Sequence, residues 1–158
     1  MQLKIGDKAP EFALYSSEKK EIRLQNLQGK KVVLLFFPFA FTGTCTKELC
    51  SVRDEISDYN NLDAEVIGIS VDSMFSLAKY KDEQGLNFTL LSDFNKETSM
   101  AYGSLYTTFG LGNMKGVSKR SAFVIDSKGI IQYVEVLENA SEIPNLAAVK
   151  KTLAGLNE

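Results

Sequence analysis

The chain has 158 residues, with 18 Lys and Arg against 20 Asp and Glu, a hydrophobic share of 44% and no histidine. That length suits a single domain over residues 1–158 with a core that needs no staples, so the two cysteines are not a disulfide framework. A net charge of -2 gives no basic excess to track nucleic-acid phosphates, and the missing histidine removes serine and cysteine triads together with the commonest zinc and haem ligands.

No apolar run approaches the roughly 18 residues of a membrane span. The segment from Met1 to Lys8 carries Lys4, Asp7 and Lys8 where a signal peptide would be apolar. A cytoplasmic location is expected, where thiols are held reduced and a cysteine pair suits catalysis or redox exchange better than structure.

In chain order, the first strong signal is the continuous apolar run 31–37, which predicts a central strand covered on both faces. Pro38 stops it, residues 38–44 form a turn, and Leu49, Val52, Ile56 and Tyr59 recur at helical spacing from Cys45 onward. A second buried strand is expected over 64–71, then a helix over 74–84 ended by Gly85. A short strand over 88–91, a short helix over 96–102 and a Gly-rich loop over 103–116 follow. Strands over 122–126 and 130–136 read as a hairpin through Ser127, Lys128 and Gly129, and Pro144 suits the first turn of a final helix carrying Leu146, Val149 and Leu153. Crossover strands followed by a hairpin predict an α/β fold with a central mixed β-sheet flanked by helices, the thioredoxin-like arrangement.

The informative stretch runs from Phe36 to Cys50. Cys45 falls in a first helical turn, after a central strand, where unpaired N–H groups and a partial positive charge favour a thiolate. A helix end supplies about 0.3 to 1 kcal/mol, whereas lowering a free thiol from about 8.5 to about 6 takes roughly 3.4 kcal/mol. With no histidine in the chain, an Arg or Lys from elsewhere must make up the difference.

Pro38-x-x-x-Thr42-x-x-Cys45 resembles the active-site signature of peroxiredoxins, thiol peroxidases of thioredoxin-like fold. The likeness extends along most of the chain, through residues 6–12, the strand end Gly68-Ile69-Ser70-Val71-Asp72, Leu91-Ser92-Asp93 and the strand 120–126. It implies that Cys45 is the peroxidatic cysteine, that Thr42 orients thiolate and peroxide, that Pro38 shields the pocket and that Arg120 is the cation. Glu48 resembles an acidic residue coupled to that arginine, although a Glu in the first helical turn already gains from the helix dipole. Phe39 and Phe41 read as pocket walls, an interface patch or plain core.

Cys50 lies five residues after Cys45, a spacing similar to the resolving cysteine of the bacterioferritin-comigratory, or Q-type, peroxiredoxins, while the Phe39–Gly43 loop also resembles the alkyl hydroperoxide reductase E type. Five residues of ideal helix separate Cα atoms by about 8.6 Å, beyond the roughly 4.4 to 6.8 Å of a disulfide. A bridge therefore requires the helix to unwind. The resemblance implies a peroxide substrate, a thioredoxin-like or glutaredoxin-like reductant, no cofactor, and a monomer or homodimer.

Two other readings stand beside it. A disulfide reductase of the thioredoxin kind lacks its Cys-x-x-Cys, and a redox sensor would oxidise once without turning over. The run Gly110 to Gly116 is not a nucleotide-binding fingerprint.

Overall fold

The computed structural model describes residues 2–110 and 112–156; Leu111, within the Gly-rich run, lies outside them, as do Met1, Asn157 and Glu158 at the ends of the expected domain. Strands β1 (Ala13–Ser16), β2 (Glu21–Arg23), β3 (Lys31–Phe36), β4 (Ala64–Ser70), β5 (Thr89–Ser92), β6 (Ser121–Ile125) and β7 (Ile131–Val136) form one sheet in the order β2-β1-β5-β4-β3-β6-β7. The helices are α1 (Gly43–Asp54), α2 (Ile56–Asn60), α3 (Met74–Gln84), α4 (Glu97–Ala101) and α5 (Leu146–Ala154). β3, β4 and β5 are parallel, whereas β6 runs antiparallel to β3 and β1 antiparallel to β5. This is the expected mixed sheet.

β3 lies inside the sheet, and each of its residues is buried. Because side chains alternate along a strand, it feeds two cores. Val33 and Leu35, with Phe37 after them, meet Leu49 and Val52 of α1, Tyr80 of α3 and Val149 and Leu153 of α5. Val32, Leu34 and Phe36 pack on the other face with Ala9, Phe12, Leu24 and Tyr102. One face is thus covered by three helices and the other mainly by the N-terminal segment, pinned where the Tyr102 hydroxyl donates to Pro10 O at 2.7 Å.

Several local readings need correction. The β1–β2 hairpin was not legible, because its seven residues are too short and too exposed to show a buried alternation. The helix expected to run through Tyr59 breaks at Glu55, whose N–H turns back to Val52 O at 3.1 Å before α2 begins. Pro144 precedes the last helix rather than opening its first turn, since Asn145 caps α5 by accepting from Ala148 N at 3.0 Å. The β6–β7 connection is longer than Ser127 to Gly129: Asp126 Oδ1 accepts from Lys128 N at 2.9 Å and Ile130 N at 3.0 Å, which draws both residues into the turn. Gly85, at φ 62°, ends α3 in the left-handed region as its position suggested.

Candidate active site

Register brings the site together. Phe36, the last residue of β3, pairs with Ser121, the first of β6. Arg120 therefore sits at the end of β3 from which the chain leaves through Pro38 toward α1. Period-two alternation gives Arg120 the side of Ala122 and Val124, which belong to the core that contains Cys45. On α1, Cys45, Glu48, Leu49 and Val52 form the buried stripe. Cys45 and Glu48, three apart, share a helix face opposite the arginine.

The buried Arg120 divides its guanidinium three ways. Nη2 donates to Cys45 Sγ at 3.2 Å, Nη1 to Glu48 Oε1 at 2.9 Å and Nε to Ala140 O at 2.8 Å. Arg120 is 1% exposed, so it is not the solvated strand-edge charge that a lone Arg usually becomes. Burial works against its charge, but the Cys45 sulfur and then the Glu48 carboxylate outweigh it and hold the guanidinium above its ordinary range. Burial likewise pushes the Glu48 carboxyl up from 4.5 to about 7, with Arg120 pulling the other way and Glu135 adding to the rise. Among the described residues, Glu48 Oε2 has no hydrogen-bond partner. Glu48 lies beyond the first turn of α1, which begins at Gly43, so its partner is the arginine rather than the helix dipole.

The loop that delivers Cys45 is pinned as well. Ala40 N donates to Asp72 Oδ2 at 2.8 Å, and the same oxygen accepts from Ser70 Oγ at 2.7 Å. Pro38 is buried behind the strand end. Phe41 adopts φ 68°, in the left-handed region, with its exposed ring 4.9 Å from that of Tyr80. Thr42 occupies the N-cap position of α1, but its hydroxyl donates to Phe39 O at 2.9 Å instead of accepting a helix N–H. Phe39 packs with Phe109, Tyr106, Val71, Val117 and Ala140 in a small apolar cluster next to Arg120.

Cys50 is partly buried, a free thiol like Cys45, and its Sγ lies 3.7 Å from Gln84 Oε1 of α3. Both cysteines lie within the intact α1. Tyr106 and the Ala140 carbonyl escaped sequence reasoning. Neither carries a spacing signal, because both reach Arg120 from loops.

A groove of about 730 Å³ lies elsewhere, between Phe12, Tyr15, Phe75 and Phe94, and none of the residues named above as touching Cys45 lines it. No helix among the described residues is long and apolar enough to cross a membrane. What the arrangement can do is place a buried sulfur beside fixed donors, with a second thiol about 1.4 turns along the same helix.

Known proteins resemble the chain along most of its length. Residues 5–134 match the AhpC/TSA family. The sequence is 40% identical over 144 residues to ycf42 of Porphyra purpurea, covering 85% of this chain and 69% of that one. It is 33% identical over 132 residues to peroxiredoxin Bcp of Escherichia coli K12, covering 84% of this chain and 85% of the other. Among solved structures, peroxidoxin BcpB of Mycobacterium tuberculosis superposes with a TM-score of 0.87 at 29% identity, over 99% of this chain and 100% of that one.

Proposed function

The chain belongs to the AhpC/TSA family and is a peroxiredoxin, a thiol-dependent peroxidase, and from that premise we propose that Cys45 is its peroxidatic residue and Arg120 the cation that activates it. The observation that carries the reading is the 3.2 Å contact between Arg120 Nη2 and Cys45 Sγ, both buried.

The Cys45 thiolate attacks one peroxide oxygen. An S–O bond forms, the O–O bond breaks, and the departing RO⁻ takes a proton to leave as ROH or water. Sulfur loses two electrons and becomes a sulfenic acid. Charge builds on the leaving oxygen, where a guanidinium and the N–H groups opening α1 are already oriented and need no reorganisation. Thr42 adds a hydroxyl that can turn from Phe39 O toward the peroxide, and Pro38 closes the pocket behind it. Glu48 holds the second guanidinium nitrogen and so fixes the plane in which the first one points.

Cys50 then attacks the sulfenic sulfur and releases water as the disulfide forms. Unwinding of α1 brings the two sulfurs together, and a thioredoxin-like or glutaredoxin-like dithiol reduces the bridge. Reduction needs no cofactor on the chain, which works as one cytoplasmic domain, as a monomer or a homodimer, with no nucleic-acid or membrane partner.

The test is the second-order rate of reaction with hydrogen peroxide in the parent, Cys45→Ser and Arg120→Ala. The expected results are abolition in the first variant and a loss of roughly 100-fold or more in the second. Equal rates in Arg120→Ala and the parent would assign the charge to another residue. For Cys50, mass spectrometry of peroxide-treated protein should show loss of two hydrogens, and a persistent sulfenic adduct at Cys45 would remove it from the reaction.

A further inference from the structure

We propose that Tyr106 is a positioning residue for the peroxidase reaction, its hydroxyl built into the ladder between Arg120 and Leu137 so as to set the point from which Arg120 reaches Cys45. The inference rests on the reading of Arg120 as the activating cation.

The β6–β7 register pairs Ser121 with Val136, and one residue further it sets Arg120 opposite Leu137. A hydrogen-bonded antiparallel pair exchanges two N–H···O bonds. Here one is direct, Leu137 N–H donating to Arg120 O at 2.9 Å. The other is opened. Arg120 N–H donates to the Tyr106 hydroxyl at a long 3.4 Å, and that hydroxyl donates onward to Leu137 O at 2.8 Å. A phenol oxygen thus stands where a direct bond would close the ladder.

Two bonds in series span more space than one, so this side of the pair is held open while the other closes at 2.9 Å. The chain after Leu137 leaves the ladder, and three residues later Ala140 O accepts from Arg120 Nε at 2.8 Å. One insertion therefore bears on both the backbone from which the arginine starts and the carbonyl that holds its side chain. What is left free to point at Cys45 and Glu48 is the pair of terminal nitrogens.

Tyr106 is itself held. It is 7% exposed, its N–H donates to Val117 O at 2.9 Å and its ring stacks on Phe109 at 5.8 Å. Phe39, from the loop that delivers Cys45, packs in the same cluster, so a single ring set touches both halves of the site. A phenylalanine would fill the same space, which makes the hydroxyl the part that needs explaining.

The variant is therefore Tyr106→Phe, made beside Arg120→Ala and the double variant, all in a Cys50→Ser background so that only the oxidation step is read. Without the hydroxyl, either the ladder closes or a buried N–H and C=O lose their partner, and both outcomes displace Arg120. Tyr106→Phe should lower the second-order rate with hydrogen peroxide by about tenfold and reduce the ultraviolet thiolate absorbance of Cys45 at neutral pH. In the Arg120→Ala background the same change should alter the rate by less than about twofold, because the residue it acts through is gone.

Parent-like rate and absorbance in Tyr106→Phe, with Arg120→Ala impaired, would overturn the inference. A tenfold loss that persists in the Arg120→Ala background would overturn it too, by assigning Tyr106 to packing alone. If Arg120→Ala is itself as fast as the parent, the fault lies in the role given to Arg120, and this inference falls with it.

Discussion

Arg120 Nη2 and Cys45 Sγ stand 3.2 Å apart across 75 positions of sequence. Only the cysteine could be placed by its neighbours alone. The cysteine depends on where β3 ends and α1 begins, and the arginine on which residue of β6 pairs with Phe36.

The division of the guanidinium among three acceptors argues that arginine, rather than positive charge, is what the site requires. Lysine carries a compact ammonium and cannot hold Cys45, Glu48 and Ala140 O from one plane. Arg120→Lys should therefore lose roughly 10- to 100-fold in peroxide rate while staying folded. Stopped-flow oxidation of Cys45 checks this, and a rate equal to the parent's would show that charge alone suffices.

Glu48 makes stability depend on pH in a defined direction. Its folded value, about 7, lies above its ordinary 4.5. Between these limits the native protein keeps a proton that the unfolded chain releases, so the contribution of Glu48 to stability is greatest below about 4.5 and falls as pH rises toward 7, by up to about 3 kcal/mol. Urea titrations of parent and Glu48→Gln should give a stability difference that shifts against the parent over that window and levels off above it. A difference that stays flat across the window would mean that Glu48 remains ionised throughout.

The ties between α1 and α3 bear on disulfide formation. The Thr46 and Tyr80 hydroxyls share a hydrogen bond of 2.8 Å, and the Tyr80 ring meets Phe41. Because the first turns of α1 must open for Cys45 to reach Cys50, Tyr80→Phe should speed bridge formation roughly 2- to 10-fold after a peroxide pulse. Quenched samples read by mass spectrometry give the rate, and unchanged or slower closure would place the barrier elsewhere.

Gly68 tests the packing under the loop. A Cβ there would lie 2.8 Å from Leu90 Cδ2 and 3.3 Å from Phe37 Cε1, inside the core shared by β4, β5 and the end of β3. Gly68→Ala should cost about 1 to 3 kcal/mol, as overpacking does. Thermal or urea unfolding measures it, and parent-like stability would show that Leu90 yields without strain.

The sequence by itself determined the order of β3, α1, β4 and α3, because long apolar runs and helical spacing are local properties, and it singled out Cys45 because a strand end, Pro38 and a helix start stand side by side in the chain. It also required a non-histidine cation, since none of the 158 residues is His. Arg120 could be nominated only through the family resemblance, and its contact with Cys45 was decided by strand register. Of the two readings of Glu48, a helix-start charge and a partner of the arginine, the tertiary structure favours the second, since Arg120 faces it at 2.9 Å. Tyr106 and Ala140 became part of the site only in three dimensions, because a hydroxyl or a carbonyl on a loop has no periodicity to read and acquires its role from the strand pair that closes, or fails to close, around it.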